Sequence, residues 1–550
     1  VPPRAVRRGP ATADWIAGLS IAGLLLPEAV AYASLAGLPP PAGIVALLAG
    51  LLCYGLIGNS RFAVVSATSS SAAVLLAATS PPGGALAAAA APAAALAAGL
   101  VLLTGIYFVA AGLARLGGIS TFIARPVLRG FTFGLALTIV IHQGAKIVGV
   151  DPPQTDLLRY TAGVFAAWGE WNFEAAWIGL AALALLGLLA RWKRVPAALI
   201  AIVAGIALER SGLAAGVPTV GPIALELHAP DLPALPRSDW LRLGELAFAM
   251  ALILYAESYG SIRSFALRHG EATRPNRDLI ALGVANLASG LFQGMPVGAG
   301  YSATAANERA GAQSRWAAWI AAALILLLLL GALRWIERTP EPVLAAIVIH
   351  AVAPRLHPGV FRPYFVWQRD RFIVVAAVLA VILLGVLDGL LAAIAVSVAV
   401  TLRELSEPRV SWLGRLRGGH DYVDAERHPE AQPLAGLLIA RPEEPLFFAN
   451  AERIFAIVRR RVEASAGVHT VILSLEESAD LDGTSIEALR EFAVAMRRCG
   501  VTLLLARVKD PLRDLLRRVA PAELPPRCYQ AWSVDDAVRQ AGAAEGPTPA

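Results

Sequence analysis

The run Val64-Val65-Ser66-Ala67-Thr68-Ser69-Ser70-Ser71 lies between apolar segments, and Ser302-Ala303-Thr304 repeats its Ser-Ala-Thr centre in the second half of the chain. Each copy follows a short β-branched or glycine-rich approach and opens a helix-like stretch. A helix start offers N–H groups without intrahelical acceptors and the positive end of the peptide dipoles, which together hold anions. Secondary transporters often build a substrate site from two such starts near the bilayer midplane. The competing reading is an ordinary helix with small residues for close packing. Around the second copy, Gly298, Ala299, Gly300 and Tyr301 permit close backbone approach, while Ser302 and Thr304 supply hydroxyls. Asn307 and Glu308 follow one turn on. Those hydroxyls could instead bond a preceding helical carbonyl.

Two acids also stand in apolar surroundings. Glu28 lies midway along a predicted span, and Glu257 follows the apolar run 248–255 and precedes Ser258-Tyr259-Gly260. A bare carboxylate at the bilayer centre costs at least ~2.5 kcal/mol on insertion scales, so acids there usually serve ion pathways. The alternative role is a hydrogen bond across helices. Tyr32, Tyr301, Phe131 and Gln143 could shape a pocket, although aromatics on an apolar helix face more often pack. His142 has no visible partner and reads as structural. Cys53, Cys499 and Cys528 are too few and too scattered for a disulfide framework or metal cluster. With no phosphate-binding glycine loop, metal set or nucleophile–base pair, the sequence reads as neither an enzyme nor a cofactor protein.

The elements that must position these residues are membrane segments. Of 550 residues, 57% are hydrophobic and 16% charged, too little charge for a soluble chain of this length. The net charge of +6 does not indicate nucleic acid, because the basic residues sit mostly at span ends. Apolar runs between charged or Pro/Gly breaks give about fourteen segments. They are 13–36, 41–58, 64–80, 85–114, 119–148, 172–190, 195–212, 241–262, 277–294, 300–313, 315–336, 339–355, 370–387 and 388–405. Residues 149–171 and 213–240 read as polar connections. No cleavable leader pattern precedes the first span. The basic tail (Arg4, Arg7, Arg8) and the clusters around Arg115, Arg191, Arg268, Arg355 and Arg403 predict both termini in the cytoplasm, against Lys146, Arg334 and Arg338 outside.

From about Trp412 the charge density rises and the periodicity becomes that of a soluble α/β domain. Strands are expected at 434–440, 468–475 and 501–508, and helices at 451–461, 484–498 and 510–519, the last with Pro511 in its first turn. The alternation predicts a small sheet flanked by helices. The division is a cytoplasmic tail at 1–12, a transport domain at 13–408, a cytoplasmic α/β domain at 409–540 and a frayed tail at 541–550.

Several motifs resemble the sulfate permease family, also called solute carrier family 26. The first span reads Leu26-Pro27-Glu28-Ala29-Val30-Ala31-Tyr32-Ala33, then Leu35-Ala36-Gly37-Leu38-Pro39-Pro40, with Glu28 where the family commonly has Gln. The fifth carries Arg125-Pro126-Val127-Leu128-Arg129-Gly130-Phe131-Thr132, and the segment after the eighth carries Asn276-Arg277-Asp278-Leu279-Ile280-Ala281-Leu282-Gly283. The carboxyl-terminal domain is similar to a sulfate transporter and anti-sigma factor antagonist (STAS) domain, through Leu446-Phe447-Phe448-Ala449-Asn450-Ala451-Glu452, Asp480-Leu481-Asp482-Gly483-Thr484 and Leu505-Ala506-Arg507. The resemblance covers nearly the whole chain in the expected order.

It implies two intertwined seven-span inverted repeats arranged as core and gate domains, and a homodimer in the cell membrane. It also implies an anion held between the starts of spans three and ten. Ser66, Ala67, Thr68, Ser69, Tyr301, Ser302, Ala303, Thr304 and Tyr32 are the candidate substrate contacts. Glu257 matches the acid that the family links to proton or sodium coupling, and Glu28 is a second candidate. Two departures matter. Ala303 stands where the family often has Arg, and Ser66-Ala67 where it often has Gly-Pro. Without that Arg, attraction rests on helix ends worth about 0.3–1 kcal/mol each, up to ~2 when partly buried. Thr484 falls where related soluble antagonists carry a phosphorylated hydroxyl, although capping the following helix would also explain it.

The expected function is secondary transport of sulfate, bicarbonate or a dicarboxylate, coupled to H+ or Na+, by an elevator-like movement. The alternatives are uncoupled anion exchange and a membrane-bound signalling platform whose STAS domain binds a cytoplasmic partner. A nucleobase carrier would share the implied fold but not the carboxyl-terminal domain.

Overall fold

A computed structural model of the protein describes residues 10–79, 93–118, 124–152, 156–192, 197–214, 216–220, 230, 232–368, 370–417, 419–519 and 522–543. The basic tail, the start of predicted span four and most of 541–550 lie outside the described residues. The chain divides at Ser397/Val398 into two compact units.

In the first unit, α1 (Thr12–Leu35) and α2 (Pro40–Ile57) precede a short strand, β1 (Val65–Ala67), and a short helix, α3 (Ser69–Thr79). The chain continues through α4 (Ala93–Leu113), α5 (Arg125–Ile147), α6 (Leu157–Ala166), α7 (Phe173–Leu189) and α8 (Ala197–Arg210). The order then recurs. Helices α9 (Arg237–His269) and α10 (Pro275–Leu291) precede strand β2 (Val297–Ala299) and short helix α11 (Tyr301–Arg309). Next come α12 (Trp316–Ile336), α13 (Glu341–Val352), a 3-10 turn over Ala353–Leu356, α14 (Arg362–Val366), α15 (Arg371–Leu384) and α16 (Val386–Ser406), which crosses the division. Among the described residues, six helices are long and apolar enough to cross a membrane, including α1, α2 and α5.

Local sequence explains several boundaries. Proline in the first turn, where no intrahelical donor is lost, opens α2, α5, α10 and α13. Gly270, at φ +67°, ends α9 in the left-handed region that favours glycine. Predicted spans three and ten are each broken into a strand and a half-helix. The 11 residues of α3 reach about 16 Å, roughly half of a ~30 Å hydrocarbon core. The connection expected at 149–171 contains α6, whose buried Leu157, Tyr160 and Val164 form one apolar stripe beside exposed Arg159. That face is too narrow to register as an apolar run.

Packing partners exchange between the halves. Helix α1 lies on α12 as α9 lies on α4, and α2 meets α12 as α10 meets α4. Likewise α1 touches α11 as α9 touches α3, and α5 packs on α15 as α13 packs on α7. The pairs α2–α10, α5–α13 and β1–β2 join one half to the other directly. Small residues set these approaches. A Cβ on Gly50 would stand 2.3 Å from the Val65 carbonyl oxygen, so only glycine lets β1 lie on α2.

The second unit carries a five-stranded sheet in the order β4 (Tyr422–Asp424), β3 (Val410–Arg415), β5 (Leu437–Pro442), β6 (Thr470–Ser474), β7 (Thr502–Ala506). Strands β5, β6 and β7 run parallel, joined through α17 (Ala451–Ala464) and α18 (Gly483–Arg498). Helices α19 (Asp510–Val519) and α20 (Val534–Ala543) complete the unit. Both faces of the sheet are covered, as a parallel sheet requires. Val471 and Leu473 pack with Phe455 and Phe492 on one side, and Ile472 and Leu504 with Ala537 on the other. The antiparallel strands β3 and β4 were not anticipated from the sequence.

Asp482 caps α18, accepting from the Ser485 N–H at 2.8 Å, and also accepts from the Phe448 N–H at 2.7 Å. Burial pushes its carboxyl up, but the Ser485 and Phe448 donors more than offset this and hold it below the usual value. Such a group stabilises the fold above its unfolded value of about 4, and that contribution disappears as pH falls through the lower folded value.

Two outcomes are expected. Gly50→Val lowers the melting temperature of detergent-solubilised protein through overpacking of about 1–3 kcal/mol, whereas Gly187→Ala, with nothing within 4 Å of its added Cβ, leaves it unchanged. Asp482→Ala costs about 0.5–2 kcal/mol at neutral pH by loss of the cap. In chemical denaturation of the full chain, the gap between that variant and wild type narrows as the medium is acidified below the usual carboxylate range.

Candidate functional site

The site begins with the antiparallel pairing of β1 and β2, in the register Val65↔Ala299, Ser66↔Gly298 and Ala67↔Val297. Both strands are fully buried, so their remaining backbone groups need protein partners. Side chains supply them. Asn286 of α10 bonds the Val297 N–H at 3.0 Å and its carbonyl at 2.9 Å. The Ser258 hydroxyl of α9 accepts from the Ala299 N–H at 2.8 Å. From α11, Thr304 Oγ1 accepts from the Val64 N–H at 3.3 Å, and Asn307 donates to the Phe62 carbonyl at 2.9 Å.

Beyond β1, Thr68 and Ser71 cap α3 reciprocally. Thr68 Oγ1 accepts from the Ser71 N–H at 3.1 Å, and Ser71 Oγ accepts from the Thr68 N–H at 2.9 Å. This leaves Ser69 and Ser70 in the first turn, where N–H groups have no intrahelical acceptor. Arg355, from the turn after α13, reaches this helix start. Its Nη1 donates to Ser69 Oγ at 3.2 Å and lies 3.5 Å from Ser70 Oγ. Its Nη2 pairs with Glu257 Oε1 at 3.1 Å. Neither partner is far from solvent: their side chains are 19% and 16% exposed. Glu28 and Tyr32 of α1 are buried within electrostatic reach of Arg355, and Tyr32 also of Glu257.

Glu257 Oε2 is buried and has no hydrogen-bond partner, and so is Ser261 Oγ, one turn further along α9. Residues four apart share a helix face. Two unpaired oxygens thus lie on one face of α9, the first of them on the residue that pairs with Arg355. Among the described residues, no group of three or more His, Cys, Asp or Glu side chains could hold a metal ion.

The structure therefore brings Ser69, Glu257, Glu28 and Tyr32 together around Arg355. Other candidates are used differently. The Thr68 and Thr304 hydroxyls, expected to face a solute, are spent on backbone N–H groups, and Ser66 Oγ donates to the Ala67 carbonyl at 3.1 Å. Ala67 and Ala303 are buried small residues. Tyr301 is 45% exposed and turns to Phe265 and Arg268, whose Nη2 donates to its hydroxyl at 3.3 Å. Ser302 lies exposed at the start of α11. His142 stacks on Tyr160 at 4.2 Å and bonds the Thr138 carbonyl, a structural role. Thr484 is exposed in the first turn of α18, whose cap is Asp482 and not Thr484: the helix opens one residue earlier than the sequence suggested.

Arg355 was counted in the sequence only as a loop cation. The signal that could have found it was indirect. With alanine at position 303, an anion site at this depth lacked a cation, and Arg355 closes an apolar span.

Residues 12–377 match the sulfate permease family, and residues 422–531 match the STAS domain. The chain belongs to the sulfate permease family. A probable sulfate transporter of Mycobacterium tuberculosis is 32% identical over 512 residues, spanning 92% of this permease and 90% of the relative. High affinity sulfate transporter 2 of Stylosanthes hamata is 26% identical over 93% of this chain and 81% of its own. Among solved structures, the murine solute carrier 26 family member A9 anion transporter in the inward-facing state superposes with a TM-score of 0.88. That match has 21% identity, over 98% of this chain and 93% of the other. The transmembrane domain of a cyanobacterial bicarbonate transporter gives 0.61 at 22% identity, over 69% of this chain and 96% of that one. The permease is thus a multi-pass membrane transporter with an α/β STAS domain, not an enzyme.

Two unit charges about 4 Å apart interact by ~4 kcal/mol at an effective dielectric of ~20, several times a typical helix-end contribution. Arg355 is therefore the dominant positive feature at the α3 start. Arg355→Gln is expected to weaken binding of the transported anion at least about tenfold, or ~1.4 kcal/mol. Arg355→Lys, which keeps the charge but not the two-partner fork, falls between. Titration calorimetry on solubilised protein reads both, and an unchanged Kd for Arg355→Gln would remove this residue from the site.

Proposed function

We propose that this permease is a proton-coupled secondary transporter of a small oxyanion, with sulfate as the favoured substrate. The observation that carries the reading is the divided guanidinium of Arg355, which bonds Ser69 at the α3 start and Glu257 at once. An ionised Glu257 occupies the cation that an anion at this site would use. A proton on Glu257 releases Arg355 to the anion and removes a repelling charge. Binding of proton and anion then favour each other, which is thermodynamic coupling between two adjacent sites.

The choice of proton over sodium follows from the oxygens on offer. A hard cation takes a full shell of oxygen ligands, whereas the unpaired atoms here are Glu257 Oε2 and Ser261 Oγ. A single proton meets the need of Oε2. Sulfate is favoured because the relatives at 32% and 26% identity are named as sulfate transporters. Bicarbonate is the second choice, carried by the shared fold of a bicarbonate transporter.

The exchanged packing partners and the antiparallel β1–β2 pair support two inverted halves of seven segments each, fourteen in all. In this reading the strands, α3, α9 and α11 form the moving core, and α5, α13 and their neighbours form the gate. Arg355 extends from the gate side, so an elevator movement would make and break its bonds to Ser69 and Glu257. Basic residues at the span ends favour cytoplasmic termini, and the family favours a homodimer in the cell membrane. Thr484, exposed beside the N-terminus of α18, is the proposed regulatory hydroxyl. A phosphate there would meet first-turn N–H groups but also the Asp482 carboxylate.

Uptake into proteoliposomes tests the coupling. Labelled sulfate, bicarbonate, fumarate and chloride are offered under an inward proton gradient, an inward sodium gradient and neither. The expected result is proton-driven accumulation of sulfate, abolished in Glu257→Gln although equilibrium exchange persists. Sodium-driven accumulation would replace the proton in this scheme. Equal uptake without any gradient, unaffected by the substitution, would favour exchange and end the coupling role.

A further inference from the structure

A cavity with one polar wall lies apart from the Arg355 side chain. Its volume is about 190 Å³. Ser34 of α1, Gln143 and Lys146 of α5 and Glu341 at the start of α13 form its polar wall, and the rest of the lining is apolar, including Val30 and Leu344. Arg355 follows the other end of the 12-residue α13, roughly 18 Å along its axis from Glu341. Val30 and Ala31, by contrast, bring the cavity's far side next to Glu28 and Tyr32. Helix α1 links them. Glu28 and Tyr32 face the Arg355 cluster, and Ser34, about 9 Å along the axis from Glu28, lines the cavity.

The cavity carries donors suited to an oxyanion. Gln143 is 3% exposed, and its Nε2 is buried without a hydrogen-bond partner. Such a donor is costly to bury unless something accepts from it. Beside it, the Lys146 ammonium donates to the carbonyl and the hydroxyl of Ser34, each at 3.2 Å. The space far exceeds the ~10–15 Å³ that one water needs, so a partly hydrated oxyanion fits.

The two packed helices α5 and α13 also repeat a tetrapeptide. Ile139-Val140-Ile141-His142 is followed by Lys146, and Ile347-Val348-Ile349-His350 by Arg355. Each helix thus places a cation shortly after the same four residues, one at each end of the path.

We propose that this cavity is a second anion station, reached from the membrane face opposite Arg355, with the Lys146 ammonium and the Gln143 amide as its donors. It rests on the anion-transport reading above and adds an entry site to it. Glu341 and Asp151 are the carboxylates whose fields reach Lys146. They keep the station weak, and a site on a conduction path must release what it captures. When it is empty, Ser34 holds the ammonium.

The test measures initial rates of labelled sulfate uptake in right-side-out and inside-out vesicles. Lys146→Met raises KM at least about fivefold for uptake from one face, with kcat in that direction nearly unchanged. From the other face KM is nearly unchanged and kcat falls by the same factor, because the substitution cannot alter the transport equilibrium. Lys146→Arg restores the wild-type value, and Glu341→Gln lowers KM at that same face. Gln143→Leu, which conserves bulk, gives the same one-sided rise and keeps the test available if Lys146→Met does not fold. An equal KM change at both faces, or an equal fall in kcat in both directions with KM unchanged, would reduce Lys146 to a brace for α1 and overturn the station. A wild type inert to sulfate and bicarbonate at both faces would instead overturn the transport reading itself.

Discussion

Two three-residue strands, Val65–Ala67 and Val297–Ala299, are buried where water cannot satisfy their backbones, and each depends on the other for hydrogen bonds. An unpaired peptide group in an apolar interior costs several kcal/mol. Most of the surrounding side-chain chemistry answers that constraint. Asn286 and Ser258 complete bonds that the pair leaves open, Thr304 and Asn307 hold the Phe62–Val64 approach to β1, and Gly50 clears the space beneath it. Because the strands end where they do, α3 begins in the protein interior, while α11 opens on the exposed Tyr301 and Ser302. The anion-seeking property of a helix start follows from this broken geometry, not from any single residue.

The hydroxyl-rich runs consequently divide their labour. Thr68, Ser71 and Thr304 fasten the helix starts, whereas Ser69 and Ser70 face Arg355. The cation arrives from a separate element, the turn after α13. A charge within α11 would belong to the half-helix itself, whereas Arg355 reaches the α3 start from a different helix pair. The Arg355–Glu257 contact thus joins two separate elements, the turn after α13 and α9.

Much of the fold was legible because long apolar runs between charged breaks have few other solutions. Predicted segments 13–36 and 41–58 correspond closely to α1 and α2, and the strands expected at 468–475 and 501–508 contain β6 and β7. Motifs carried the family, whereas the two Ser-Ala-Thr copies fall at different places near the junctions: Ser66 and Ala67 end β1, and Ser302-Ala303-Thr304 lies within the first turn of α11. Arg355 was illegible because its role depends on a long-range approach: it contacts Ser69, 286 residues away. The use of Thr68 and Thr304 on backbone N–H groups was likewise hidden, since a hydroxyl at a helix start bonds a solute or a peptide group equally well. Strands β3 and β4 were missed because they are short or lie at a sheet edge, without a continuous buried run.

The bond from the Val64 N–H to Thr304 joins residues 240 positions apart. At a synthesis rate of about 5–20 residues per second, the second strand–helix junction emerges roughly 12–48 s after the first. During that interval β1 has no edge to pair with, so the first half of the protein cannot complete its own third segment in lipid. The nascent chain must keep residues near 60–70 wetted, or shielded by the insertion machinery, until the second half is made. Biogenesis of this permease is therefore held to the pace of its own translation, and a truncated first half would enter the membrane with an unfinished span.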